Sequence, residues 1–163
     1  MIGENYRRVL ANIAGAVERR KNRGIETGPV TLVAVTKNHD VEAMRQCIDT
    51  GASVVGENRV QEAKGKFEAL DRSVIWHLIG HLQTNKVNQA VAMFDLIHSV
   101  DSERLLLAID NAAGKIGKVQ DVLIQVNLAR EPQKYGVAEE ELTDVLKKAD
   151  HLPNVHLHGL MLI

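Results

Sequence analysis

The sequence holds one cysteine, five aromatic side chains and a formal net charge of −1 in 163 residues. Each shortage closes off a class of function. A single cysteine cannot form an internal disulfide, so nothing points to an oxidising compartment. With so few aromatics there are few platforms for base stacking. A net charge near zero gives no general field toward nucleic acid or anionic lipid. Long apolar runs are missing too. The N-terminal "MIGENYRRVLANIAGAVERRKNRG" is amphipathic and heavily charged, unlike a signal peptide, and no stretch approaches a membrane span. A cytoplasmic protein without nucleic-acid or membrane partners is expected. Also absent is any G-x-G-x-x-G after the first apolar run, which removes the main signature of dinucleotide binding.

What is present is a rhythm. Short β-branched runs ("VTLVAVTK", "SVVGEN", "VIWHLIG", "LIHSVD", "DVLIQVN", "VHLHGLMLI") alternate with amphipathic segments such as "DVEAMRQCIDTG" and "AEEELTDVLKKADHL". In the last of these, Leu142, Val145, Leu146 and Ala149 form one apolar stripe. Strand–helix alternation specifies a parallel sheet covered by helices. Two architectures fit, an open doubly wound sheet and a (β/α)8 barrel. Polar groups close nearly every strand: Lys37, Glu57 with Asn58, His81, Ser99 with Asp101, and Asn127. Barrels gather functional groups at that C-terminal mouth, so the pattern favours the (β/α)8 TIM-barrel type. A full barrel has eight strands and about 250 residues. Residues 1–163 offer about six of eight βα units, so a single barrel domain truncated at its C-terminus is expected.

Several residues carry candidate chemistry. Period-2 alternation places Val33, Val35 and Lys37 on one face of the first strand. If that face points inward, the amine stands at the mouth, where a lysine freed of its proton can attack an aldehyde. His77 and His81, four apart, are about 13 Å apart along a strand and cannot share an ion. His156 and His158 share a face but fall early in their strand, where special residues usually serve stability. No metal site is expected. His81, Gln83, Asn85 and Lys86 read equally as mouth groups or as a solvated helix start. "REPQKYGV" reads as a turn with Lys134 exposed, and Cys47 falls at helical spacing with Val41, Met44 and Ile48 as a packed thiol.

In order, "LVAVTK", "VGENRVQEA", "WHLIGHLQTNK", "LIHSVDS", "VLIQVN", "KYG" and "HGLM" resemble the pyridoxal-phosphate homeostasis proteins, the YggS/PROSC family, over essentially the whole chain. The resemblance implies a barrel like the N-terminal domain of alanine racemase (PLP fold type III). It also implies pyridoxal 5′-phosphate held as a Schiff base on a lysine at the end of the first strand, here Lys37. Asn58 is similar to the asparagine beside the cofactor ring, and His81 and Met161 match positions lining the strand ends. The implied role is intracellular PLP (vitamin B6) homeostasis without catalytic turnover. Family members continue past "GLM" with segments that cradle the phosphate, and these do not occur here. Weakened or lost PLP binding is therefore expected of this chain. The alternatives are a PLP-dependent racemase-like enzyme and an inactive open-barrel fragment that self-associates through its sheet edges. The racemase reading requires a second acid/base, for which only Tyr6 and Tyr135 are present.

Overall fold

The computed structural model describes residues 2–26, 28–71, 73–131 and 133–163. Met1 and Pro132, which fall within stretches quoted above, lie outside them. Six strands, β1 (Ala34–Val35), β2 (Val54–Glu57), β3 (Ile75–Leu78), β4 (Leu96–Val100), β5 (Gln120–Gln125) and β6 (Val155–Met161), form one sheet. All are parallel, and they lie in the order β1-β2-β3-β4-β5-β6. The helices are α1 (Ile2–Lys21), α2 (Val41–Asp49), α3 (Val60–Ala69), α4 (Val87–Met93), α5 (Glu103–Lys115) and α6 (Glu139–Ala149), with a 3-10 turn at Thr84–Lys86 before α4. A doubly wound sheet reverses its strand order at a switch point. Here the order never reverses, so with right-handed crossovers the helices fall on one side of the sheet. That is the winding of a barrel wall.

The sheet's two faces differ in chemistry. Facing the helices, Val55, Leu78, Ile97, Val122 and Ile124 join Met44, Phe94, Leu106 and Ile109 in a continuous apolar core. The inner face follows from register. Val35 pairs with Gly56, and Gly56 with His77, and directly paired residues of neighbouring strands share a face. A Cβ at Gly56 would stand 2.9 Å from Val33 Cγ1 and 3.4 Å from Ile79. Val33, Val35, His77 and Ile79 thus line the inner face, and the alternation read from the sequence holds for Val33 and Val35.

The helices begin where local chemistry places them. The Asp40 carboxylate accepts from Ala43 N at 2.8 Å to cap α2, and Ser102 Oγ accepts from Leu105 N at 3.3 Å to cap α5. Strand β1 is far shorter than the "VTLVAVTK" run suggests. It is an edge strand with β2 as its only partner among the described residues, so its ladder holds at Ala34 and Val35 and extends through Thr36 N donating to Gly56 O at 3.0 Å.

Candidate functional site

Lys37 follows β1 directly, in a tight turn closed by His39 N donating to Thr36 O at 3.1 Å. Asn38 takes a left-handed backbone, φ 63°, a conformation that asparagine tolerates better than most residues. Among the described residues the Lys37 amine, exposed to solvent, has no hydrogen bond or ion pair. Its two neighbours are held from the other side. Lys66 of α3 is buried (6% exposed), and its Nζ donates to Thr36 O at 2.9 Å, Glu57 Oε1 at 2.8 Å and Glu62 Oε1 at 2.7 Å. Thr36 Oγ1 donates to the same Glu57 oxygen at 2.6 Å, and Asn38 N donates to Glu62 Oε1 at 2.7 Å. Burial alone would lower the Lys66 pKa, but hydrogen bonds to Glu57 and Glu62 outweigh it and raise the value. The Lys66 hydrogen bond in turn holds the Glu62 carboxyl below its ordinary range. The ammonium satisfies all three of its donors within this cluster.

The next two strand ends lock together. Asn58 follows β2, and Gly80 follows β3. A methyl group at position 80 would collide with the carbonyl and side-chain oxygens of Asn58 and lie 2.6 Å from its Cγ. Only glycine lets Asn58 fold against the neighbouring strand end, which fixes the amide beside the Lys37 turn. His81 Nδ1 lies 3.2 Å from Asp101 Oδ2 after β4, and its ring stacks on Tyr135, centroids 3.6 Å apart and 11° from parallel. The Tyr135 carbonyl accepts from Gln125 Nε2 at 3.1 Å. Gln125 is paired with Met161, so Met161 stands on the inner face at the end of β6.

Lys37, Asn58, His81 and Met161 therefore all come to the C-terminal ends of the strands. The first three lie on consecutive strand ends, and Met161 is separated from His81 by β4 and β5. Glu57 does not join them. It is fully buried on the helix-facing side with Lys66, so the polar group at the end of β2 is Asn58 alone. His77 lies inside and pairs with His98, Nδ1 to Nε2 at 2.9 Å. Burial, and secondarily the neighbouring His77, pushes His98 down to about 4. Lys134 is an exposed loop residue paired with Glu131 at 2.8 Å, and Cys47 is packed, its thiol raised by burial. Sequence reasoning missed Lys66 and Gly80. The Glu62–Lys66 spacing of four is visible on a helix, but the burial that gives it meaning is not.

Residues 10–163 match the alanine racemase N-terminal domain family. A pyridoxal phosphate homeostasis protein of Aquifex aeolicus is 42% identical over 161 residues, covering 98% of this chain and 69% of that protein. One from Pasteurella multocida is 33% identical over 165 residues, with 99% and 70% covered. Among solved structures, PLP-bound PipY of Synechococcus elongatus PCC7942 superposes with a TM-score of 0.82 at 37% identity, covering 100% of this chain and 70% of that one. An alanine racemase of Clostridium difficile 630, at 14% identity and a TM-score of 0.72 over 98% of this chain and 40% of its own, shares the fold.

Proposed function

The chain belongs to the alanine racemase N-terminal domain family and, within it, to the pyridoxal phosphate homeostasis proteins, and on that footing we propose that residues 1–163 act as one cytoplasmic unit that holds pyridoxal 5′-phosphate on Lys37 and does not turn it over. The observation that carries this reading is an amine without a partner at the barrel mouth, in a turn whose flanking residues are pinned by a second, buried lysine. When bound, the cofactor brings an electrophilic aldehyde, an aromatic ring and a phosphate. The residues present fit the aldehyde and the ring, while none of the described residues is assigned to the phosphate, so the hold proposed is the weakened one expected from the sequence. Lys37 supplies the nucleophilic amine. Asn58, immobilised against Gly80, offers an amide to the ring edge from the adjacent strand end. His81 and Met161 border the same mouth, with His81 held by Asp101 and Tyr135.

A racemase-like role would need an acid/base group facing the far side of the cofactor. Tyr135 is the tyrosine near the mouth; it stacks on His81 through one ring face and is otherwise open to solvent. Holding without turnover is supported by the likeness to the homeostasis proteins, not by this tyrosine.

The test is addition of pyridoxal 5′-phosphate, borohydride reduction and peptide mapping, with Lys37→Ala alongside. A pyridoxyl group found on Lys37 and lost in the variant is the expected result. Label scattered over surface lysines would refute the site. Solvent exchange of the α-proton of alanine in the presence of cofactor would refute the absence of turnover.

A further inference from the structure

The inner face carries a second cluster, at the opposite end of the strands from Lys37. Asp121 of β5 pairs directly with His156 of β6. After Val122 and Leu157 the register slips, and Leu123 pairs with Gly159. His158 is therefore the extra residue of a β-bulge, and Gly159 beside it has φ +149°. A bulge re-aims the side chain it carries. In a regular strand His158 would stand roughly 6.6 Å beyond His156. Here the two rings close to 4.4 Å between centroids, and both reach back to one atom. His156 Nδ1 lies 3.1 Å and His158 Nε2 3.0 Å from the same carboxylate oxygen, Asp121 Oδ1.

We propose that Asp121, His156 and His158 form a binding site for a divalent transition-metal ion, zinc above others. The donor set, two imidazole nitrogens and one carboxylate oxygen, is the borderline-soft combination that suits zinc and excludes calcium and magnesium as preferred guests. The spacing fits as well. Zinc at about 2.0–2.2 Å from each ligand holds tetrahedral neighbours roughly 3.4 Å apart, and the three donor atoms lie within 4.8 Å of one another. Each His–Asp separation opens by a few tenths of an ångström to admit an ion, with the two imidazole nitrogens already within 4.8 Å of each other. All three side chains are open to solvent on the inner face, so the site has an entry path and a coordination position left for water. The other histidine pair on this face, His77 with His98, is occupied with itself and is no part of the site.

The location assigns the ion a structural role. His156 stands five residues before Met161, roughly 16 Å along the strand, too far to touch a ligand on Lys37. Across β5 and β6 the ion stitches two strands that are otherwise joined by backbone bonds at a slipped register. The sequence shows the H-x-H pair but not its carboxylate, because Asp121 becomes a neighbour only through strand pairing.

The experiment is titration of the full chain, freed of metal by chelation, with Co2+ followed by optical absorption, then with Zn2+ as competitor. The expected result is the intense visible bands of a low-coordinate nitrogen–oxygen site, saturating at one equivalent, abolished by Zn2+, with Zn2+ also raising the thermal midpoint. His158→Gln and His156→Gln should each weaken binding by more than the roughly 10–100-fold that loss of an outer-shell group costs, while His77→Gln leaves it unchanged. A spectrum that stays that of aqueous Co2+ up to millimolar metal overturns the proposal. So does binding that survives in the double His156→Gln, His158→Gln variant. If a variant fails to fold, the wild-type spectrum decides alone.

Discussion

Two lysines lie at the end of β1, one buried under α3 and one open to solvent, and they could hardly be used more differently. Lys66 is buried, charged and committed to three acceptors, while Lys37 is exposed and committed to none. The difference shows how a protein keeps one amine available. Left alone, an amine beside Glu57 and Glu62 would pair with them. Lys66 occupies both carboxylates first and spends its third donor on the Thr36 carbonyl. Glu62 reaches on to the Asn38 amide, so the residues before and after Lys37 are fixed while Lys37 itself is not. With Lys66 paired to both carboxylates, the Lys37 amine is left without an ion pair among the described residues.

The comparison breaks most forcefully at Lys66. Lys66→Met strands the fully buried Glu57 carboxylate, and loss of one partner from a buried pair costs about 3–5 kcal/mol. Urea unfolding should show that loss, and borohydride-fixed labelling of Lys37 should fall with it under conditions where the variant is still folded. Adding Glu57→Gln should recover part of the stability, because a neutral amide is less costly to bury than an unpaired charge. If Lys66→Met unfolds like the wild type, the network does not hold the turn.

Gly80→Ala should come next. The new methyl group meets Asn58 atoms that cannot retreat without moving a strand end, and overpacking of this kind costs roughly 1–3 kcal/mol. Affinity for pyridoxal 5′-phosphate should drop along with stability. A variant with unchanged affinity would separate Asn58 from the cofactor site.

Acid should separate the two faces in order. His98 titrates near 4 in the folded chain because of burial and then His77, against about 6.5 when unfolded. Between those values the unfolded chain binds more protons, so stability falls as pH falls from about 6.5 to 4. Allowing for partial exposure of the ring, the loss is on the order of 1–2 kcal/mol. The Glu62 carboxyl, held low by Lys66, gives up its contribution only at lower pH, as the pH falls through its depressed folded value. His77 is lowered by burial as well, so denaturation curves across this range with His98→Gln alongside should show the first loss shrink, and the double His77→Gln, His98→Gln variant should remove it. Lys37→Ala closes the series with the smallest effect on folding, within about 0.5 kcal/mol, while removing the labelled residue altogether. A larger destabilisation would mean that the amine is structurally engaged after all.

Period and punctuation were enough to read six strands, the five helices between them, and the lysine at the first strand's end. They reached no further than one strand at a time. Nothing in "GENRVQEAKGKF" tells that Glu57 turns outward to Lys66 while Asn58 stays at the mouth, since that depends on which face of β2 meets the helices. Gly80 looked like an ordinary strand end, because its need for a bare Cα comes from Asn58, twenty-two positions earlier. Asp121 gave no signal, for its histidines lie on the next strand. The β1 run looked long because its apolar residues were visible and its single partner was not.

The strand order carries one more consequence, for how the chain acquires its shape during synthesis. Strands start 20, 21, 21, 24 and 35 residues apart, and each one pairs with its immediate predecessor. Every strand from β2 onward thus leaves the ribosome with its partner already made. Each docking step closes a loop of modest length, and because closure entropy rises only by about 0.6 kcal/mol per doubling, even the longest step is little harder than the rest. Assembly then runs as accretion from the N-terminus, with the Lys37 turn fastened as soon as α3 is complete. Protease sensitivity of stalled nascent chains should accordingly fall stepwise at each β-strand, with the segment around Lys37 protected first.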